Sequence, residues 1–169
     1  FAQSGFYRSP LSFQGQQLEQ SAAALITPEG VMAYLTDIAS LPGQGQVPTR
    51  SWNNPQAEAQ AVSYLQNALQ SMGYSTCLQT FPYMLTQQTN VIAAIPGAAG
   101  GGSVTVGAHY DSRPYQGAAP GAIDNGSGSA ALLAIADALQ RGFRPVKTVY
   151  FVAFAGEEVG CIGSEAFAG

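Results

Sequence analysis

The sequence predicts an α/β fold with three layers, in which helices flank a mixed, mostly parallel central sheet. Two amphipathic helical segments come first, and two short segments typical of β-strands follow them. A strand, a helix and a second strand then succeed one another at the spacing of a βαβ unit. The last of these strands, "KTVYFVAFA", is a continuous apolar run, as expected for a strand that is covered on both faces.

The two leading helices are marked by the residues at their ends. Thr27 is a good N-cap, and Pro28 with the glutamate after it suits a first helical turn. The segment "LPG" at 41–43 ends this helix. Apolar residues at helical spacing predict a second helix over about 57–72, and Gly73 fits the position just past its end.

The remaining elements are strands joined by one helix. Residues 75–83 and 87–95 read as two strands that pair through the short turn between them. A third strand covers 103–109, a helix covers about 127–141, and the final strand covers 147–155. We expect the last two strands to be parallel neighbours, because a helical crossover connects them.

The chain is long enough for one domain with its own core. We expect residues 1–26, which are polar and rich in Gln, to form an arm or leader. Residues 27–169 then form the N-terminal portion of the α/β domain, which is incomplete in this chain. Cys77 and Cys161 allow either one disulfide bond or two free thiols.

The composition excludes some classes of function. Charged residues make up 9% of the chain, against about 25% in an ordinary soluble domain. The net charge is −4 and the six basic residues are scattered, so we expect no nucleic-acid partner. The longest apolar run, 148–155, is far shorter than the ~20 residues of a membrane-spanning helix. Few Lys and many Gln and Ser residues favour a secreted, extracellular protein.

Three loops that carry acids or His are predicted to meet at one edge of the sheet. "GAHYDS" follows the third strand, "AGEEVG" follows the last strand, and "GAIDNGSG" precedes the helix between them. In open α/β sheets, sites form in the crevice beyond the carboxyl ends of the strands. This edge is therefore the predicted functional site.

Two of the candidates also have ordinary structural interpretations. His109 is the only histidine, and a lone histidine is often structural. Asp111, two residues later, could fix its tautomer and raise its basicity, as carboxylates do for metal-binding histidines. Asp124 could cap the helix that follows, in competition with Ser127, or bridge two divalent ions about 3.5–4 Å apart.

The adjacent pair Glu157 and Glu158 requires a neighbouring cation. Two neighbouring carboxylates repel each other, and desolvating either is costly where the chain emerges from the core. Side chains of adjacent residues point in different directions, so one can bind a metal while the other faces the open side. This division suits a metallohydrolase in which Glu158 ligates zinc and Glu157 is the general base.

The motifs "GAHYDSR", "GAIDNGSGSAALLAIADAL" and "VYFVAFAGEEVGCIGSEAF" occur in that order. In them the chain resembles the secreted co-catalytic di-zinc aminopeptidases of the bacterial leucyl aminopeptidase type, whose relatives include glutamate carboxypeptidase and glutaminyl cyclase. The resemblance implies that His109 and Asp124 bind one zinc ion, and that Asp124 and Glu158 bind the other. It also implies that Asp111 supports His109, that Glu157 is the general base, and that peptide N-termini are the substrate.

The chain departs from this family in its ligand count. Relatives carry a further acidic ligand and a second histidine after the Glu-Glu pair, whereas only eleven residues follow Glu158 here. Each ion would have two protein ligands, and catalytic zinc normally has three plus water. We therefore expect the chain to be the N-terminal portion of a longer protein, whose C-terminal portion completes the site.

Three functions remain open from the sequence. The first is a zinc exopeptidase that hydrolyses N-terminal peptide bonds. The second is a glutaminyl cyclase, which the uninterrupted "GEEVGCIGSEAF" disfavours because the cyclases compared carry an insertion after their acidic pair. The third is a non-catalytic extracellular module for binding or assembly. Cys161 is interpreted as a small side chain or a disulfide partner rather than a metal ligand.

Overall fold

A computed structural model describes residues 17, 20–99, 101–114 and 116–169. Most of the predicted arm over 1–26 therefore lies outside the described residues. Within it, residues 20–23 are helical. The α/β domain predicted over 27–169 lies almost wholly within the described part.

The first two helices begin and end close to where their sequence signals place them. Helix α1 spans Pro28–Ser40, and the Thr27 side chain accepts a hydrogen bond from the Gly30 amide at 3.1 Å. Helix α2 spans Pro55–Ser71, two residues longer at its start than predicted, because the Asn54 side chain supplies the cap. Such caps satisfy amide groups that have no partner within the helix.

The strands form a four-stranded mixed sheet flanked by helices, which confirms the α/β fold class. The bounds are β1 Thr76–Tyr83, β2 Thr86–Ile95, β3 Ser103–His109, α3 Ser127–Gln140 and β4 Thr148–Phe154. Strand β2 lies antiparallel to both β1 and β4, and β3 is parallel to β4, so the described sheet is not mostly parallel. The spatial order is β1-β2-β4-β3, which gives β4 a neighbour on each side. Helix α3 connects the parallel pair.

The main core lies between the sheet and helices α1, α2 and α3. Large apolar side chains from α2, α3 and β4 are fully buried in it, and the rings of Tyr74 and Phe151 meet edge to face with centroids 5.5 Å apart. Burying one such side chain stabilises the fold by about 1.5–3 kcal/mol. The sheet therefore gives the loops at its edge a rigid support.

The turn after β4 is fixed by a buried side chain of β2. The Asn90 Oδ1 atom accepts a hydrogen bond from the Ala155 amide at 2.9 Å, and its Nδ2 group donates to the Gly163 carbonyl at 2.8 Å. Gly163 lies in the short helix α4, Ile162–Ala168. A Cβ atom at Gly163 would lie 2.3 Å from the Ala155 carbonyl oxygen, so this close approach requires glycine. The Glu157–Glu158 turn is thus held at both ends.

Both cysteines are exposed free thiols, so the structure contains no bridge between Cys77 and Cys161. Among the described residues, no helix is both long enough and apolar enough to span a membrane.

Glu58 in α2 is a buried acid, with 9% of the residue exposed. Its Oε1 atom has no hydrogen-bond partner in the described part of the chain. Burial raises the pKa of Glu58 to about 7, although hydrogen bonds from Thr89 partly oppose the rise. The folded state therefore retains a proton that the unfolded state releases near the ordinary value of 4.5. By linkage, Glu58 makes stability fall as the pH rises from about 4.5 to about 7.

We expect Glu58→Gln to remove this pH dependence, because the amide cannot ionise. The free energy of unfolding of the variant, relative to the wild type, should increase steadily across that window and then level off. Urea denaturation at several pH values measures the difference. Glu29→Gln, at an exposed position in α1, is the matched control and should show no such increase. A difference between Glu58→Gln and wild type that is constant with pH would contradict the expectation.

Candidate metal centre

The three motif loops meet at one edge of the sheet. Strands β3 and β4 are parallel neighbours, with His109 opposite Phe154, so both end at the same edge. The turn Ala122–Gly126, which carries Asp124, lies directly before α3. The backbone alone therefore brings the sequence-predicted residues into one crevice.

The His109 imidazole lies at the centre of the group, with only 10% of its side chain exposed. Its Nε2 atom is 3.2 Å from Asp124 Oδ1 and 3.6 Å from Glu157 Oε2. Its Nδ1 atom faces Asp111 Oδ1 at 3.4 Å, in an alignment that does not make a hydrogen bond. Three of the four predicted carboxylates thus surround this one ring.

Asp111 links the first loop to the last one. Its side chain is 1% exposed, and both of its oxygens accept backbone hydrogen bonds. Oδ1 accepts from the Glu157 amide at 3.0 Å, and Oδ2 accepts from the Glu158 amide at 3.1 Å. The sequence predicted only that Asp111 supports His109. In the structure, the same carboxylate also fixes the turn that carries both glutamates.

Asp124 does not cap the helix that follows it. The amide of Gly128 donates to Asn125 Oδ1 at 2.9 Å, so Asn125 supplies the side-chain bond at the start of α3. Neither Asp124 nor Ser127 makes this contact, and the capping interpretation of both is wrong. The peptide bond between Asp124 and Asn125 is cis. The Asp124 side chain is 75% exposed and directs Oδ1 towards the imidazole.

Glu158 is paired with a cation that the sequence interpretation missed. Its Oε2 atom lies 2.6 Å from Arg113 Nε, and Arg113 also donates to the Glu158 carbonyl oxygen. Arg113 belongs to the motif "HYDSR", and the whole chain has only six Lys and Arg residues. Because cations are so scarce, an arginine within an acidic motif could have been identified from the sequence as a partner for the glutamates. Arg113 therefore orients the Glu158 carboxylate.

The crevice is electrostatically negative. Burial alone lowers the pKa of His109, but the carboxylates of Asp111, Glu157 and Asp124 outweigh burial and raise it above 6.5. Burial also raises the pKa of Glu158, and the charge of Arg113 opposes that rise. A divalent cation would neutralise this accumulation of negative charge.

The donor atoms fit zinc, although they form an incomplete ligand set. Imidazole nitrogen and carboxylate oxygens are ligands that zinc binds in catalytic sites. Within the part of the chain that the structure describes, no three His, Cys, Asp or Glu side chains are arranged to hold a metal ion by themselves. The Cys161 thiol is exposed and contacts Glu157 Oε1 at 3.7 Å, at the rim of the crevice.

The fold is shared with solved structures that include an aminopeptidase, a glutaminyl cyclase and a Zn-dependent exopeptidase. The aminopeptidase LapA of Legionella pneumophila superposes with a TM-score of 0.75 at 21% identity, over 94% of this chain and 42% of that one. A glutaminyl cyclase from Tannerella forsythia superposes with a TM-score of 0.64 at 24% identity, over 85% and 56% of the two chains. Because these identities are low, the likeness establishes the fold alone.

Sequence comparison points to one peptidase family. Residues 90–169 match the profile of Peptidase family M28. These residues include all three motif loops of the crevice.

Individual relatives agree with that match. Leupeptin-inactivating enzyme 1 of Streptomyces exfoliatus is 38% identical over 106 residues, 62% of this chain and 24% of that protein. Leucine aminopeptidase 1 of Arthroderma otae is 32% identical over 170 residues, 93% of this chain and 44% of that protein. A "Probable zinc metalloprotease" of Pyrenophora tritici-repentis is 47% identical over 64 residues, 35% and 14% of the two. The chain spans less than half the length of these relatives.

Proposed function

We propose that this chain is the N-terminal portion of a zinc-dependent aminopeptidase of Peptidase family M28, which acts on the N-termini of peptides. One observation carries the proposal. His109 Nε2 lies within 3.6 Å of the carboxylates of Asp124 and Glu157, inside the segment that matches the family profile. The names of the relatives supply the aminopeptidase activity and the zinc dependence.

In the proposed site, His109 and Asp124 would hold one zinc ion, and Asp124 and Glu158 would hold a second. Each ion then lacks at least one protein ligand, because catalytic zinc normally has three. The remaining ligands come from residues beyond the 169 of this chain, a proposal supported by the greater length of the relatives.

The side chains of this chain have distinct parts in the proposed hydrolysis. When bound, zinc acts as a Lewis acid that polarises the scissile carbonyl and lowers the pKa of water. Glu157 takes a proton from the attacking water and donates it to the leaving amine. Asp111 accepts hydrogen bonds from the backbone amides of both glutamates, and it faces the Nδ1 atom of His109. Arg113 keeps the Glu158 carboxylate at the crevice.

The other functions lack such support. The fold is shared with a glutaminyl cyclase, so fold does not separate the two reactions. Two of the sequence relatives described above are named as a probable zinc metalloprotease and a leucine aminopeptidase, which favours the peptidase. A non-catalytic module would not require His109, Asp124 and Glu157 to converge. We further propose that the protein is secreted, since it has few lysines and many Gln and Ser residues.

We expect the full-length protein to bind about two zinc ions and to hydrolyse leucine p-nitroanilide. N-acetylated leucine p-nitroanilide, which has no free amine, is the control substrate and should not react. Prolonged dialysis against a chelator should abolish the activity, and zinc should restore it. Elemental analysis by mass spectrometry gives the metal content.

The alternatives give different results in the same experiment. Formation of pyroglutamate from a Gln-initiated peptide without cleavage of leucine p-nitroanilide would support the cyclase and contradict the peptidase. A protein without zinc or turnover would support the binding module. Equal rates on free and acetylated substrates would refute an aminopeptidase.

A further inference from the structure

Arg50 is a fully buried arginine in the loop between α1 and α2. Its side chain donates hydrogen bonds to four backbone carbonyl oxygens, and the residue is 1% exposed. The acceptors are those of Ile38 at 3.0 Å, Tyr110 at 2.6 Å, Pro120 at 2.5 Å and Gly121 at 3.0 Å. A buried charge is costly unless it is fully hydrogen-bonded, and these acceptors provide that compensation.

The acceptors lie next to the residues of the candidate metal centre. Tyr110 stands between His109 and Asp111, and Gly121 directly precedes the turn that carries Asp124. One guanidinium group therefore binds both ends of the long loop that separates His109 from Asp124. The contact to Ile38 anchors the group to α1.

A second set of hydrogen bonds joins the same loop to the backbone of Pro48 and Arg50. The Arg50 amide donates to Ser112 Oγ at 3.1 Å, and Ser112 Oγ donates to the Ala119 carbonyl at 2.7 Å. The Ala119 amide donates to the Pro48 carbonyl at 2.8 Å. Gly121 has a positive φ of 47°, and a Cβ atom there would lie 3.0 Å from Arg50 Nη2. The loop is thus closely fitted around the arginine.

Only arginine can make this arrangement. Its planar group offers five N–H donors in fixed directions, whereas lysine carries its donors on one nitrogen atom. Burial lowers the pKa of Arg50 to about 10, and the negative charge of Asp111 opposes that change. The group consequently remains protonated near neutral pH and keeps all its donors.

We propose that Arg50 is a positioning residue for the metal centre, which sets the placement of Asp124 relative to His109 and so governs metal affinity without touching the metal. This inference rests on the proposed function. Partners that orient metal ligands from outside the ligand set typically change metal affinity by about 10–100-fold when they are altered. Arg50 is placed to act in this way through two backbone segments at once.

The test compares Arg50→Lys with the wild type in the full-length protein. Competition with a chelator gives the zinc dissociation constant, and the absorption bands of the cobalt-substituted protein report the geometry of the ligands. We expect the dissociation constant to rise by about 10–100-fold and the cobalt bands to shift. Tyr74→Phe is the matched control, because it loses a buried side-chain bond to the Ala136 carbonyl away from the site. Its zinc affinity and cobalt bands should equal those of the wild type.

Two results would overturn the positioning role. One is an unchanged zinc affinity and cobalt spectrum in Arg50→Lys. The other is an equal loss of zinc affinity in Tyr74→Phe, when the two variants have the same melting temperature. If Arg50→Lys fails to fold, Gly121→Ala makes the same test, since its Cβ atom would crowd Ser112, Arg50 and the Asp124 carbonyl. A wild-type protein that binds no zinc would refute the proposed function and this inference with it.

Discussion

Replacing Glu157 with Gln is expected to lower kcat by about 10²–10⁴-fold while leaving the zinc content unchanged. The amide has nearly the same shape as the carboxylate but cannot accept the proton of the attacking water. The turn should persist, because its bonds to Asp111 come from the backbone amides and not from the Glu157 side chain. Steady-state kinetics on leucine p-nitroanilide and elemental analysis of the same sample measure both quantities.

Glu165→Gln is the matched control for this experiment. Glu165 is an exposed glutamate on α4, outside the crevice, and its loss should change neither kcat nor zinc content. If Glu157→Gln instead loses zinc, Glu157 is a ligand and the role of base must be assigned to another group. Full activity in Glu157→Gln would also refute its role as the general base.

Replacing Asp124 with Asn is expected to remove zinc and activity together. A shared carboxylate neutralises charge on both ions, and a neutral amide oxygen cannot, so less than one zinc ion per molecule should survive dialysis. The fold should persist, because the side chain is exposed and the turn is held by other groups. These are Asn125 Oδ1, which accepts from Gly128, and the Gly121 carbonyl, which accepts from Gly126. Elemental analysis and thermal denaturation of the metal-free proteins test the two halves of this prediction.

Asp137→Asn controls for the loss of one acidic side chain. Asp137 pairs with Arg141 on the surface of α3, and such exposed pairs contribute little to stability. Its zinc content should equal that of the wild type. The retention of two zinc ions by Asp124→Asn would show that this carboxylate does not bridge them.

The elements that the sequence predicted well are those set by local rules. Thr27 caps α1 as expected, because a threonine oxygen satisfies a free amide at any helix start. The βαβ unit places β3 beside β4 because crossover connections allow little else. The placement of these two strands also predicts the sheet edge at which the candidate site forms.

Local rules failed where several neighbouring residues could each cap the same helix. Asp124, Asn125 and Ser127 are all good capping residues, and only the path of the turn decides that Asn125 makes the bond. The assignment could not be made from the sequence, because these side chains have nearly equal preferences for the position.

Long-range partners were also beyond the sequence. Arg113 meets Glu158 across 45 residues, and Arg50 binds carbonyls 60 to 71 residues away as well as one 12 residues away. Neither pairing can be predicted from helix or strand periodicity or from the spacing of residues in a motif. Once the three motif loops are known to meet, however, the few cations of this chain become the natural candidates for neutralising them.

We propose that two divalent ions, which Asp124 would hold jointly, occupy the crevice at the ends of β3 and β4. Anomalous diffraction at the zinc absorption edge, from crystals of the full-length protein, tests it most directly. We expect two peaks about 3.5–4 Å apart on either side of the Asp124 carboxylate, one at bonding distance from His109 Nε2 and the other at bonding distance from Glu158. A crevice without anomalous density in zinc-loaded crystals, or zinc bound only elsewhere, would contradict it.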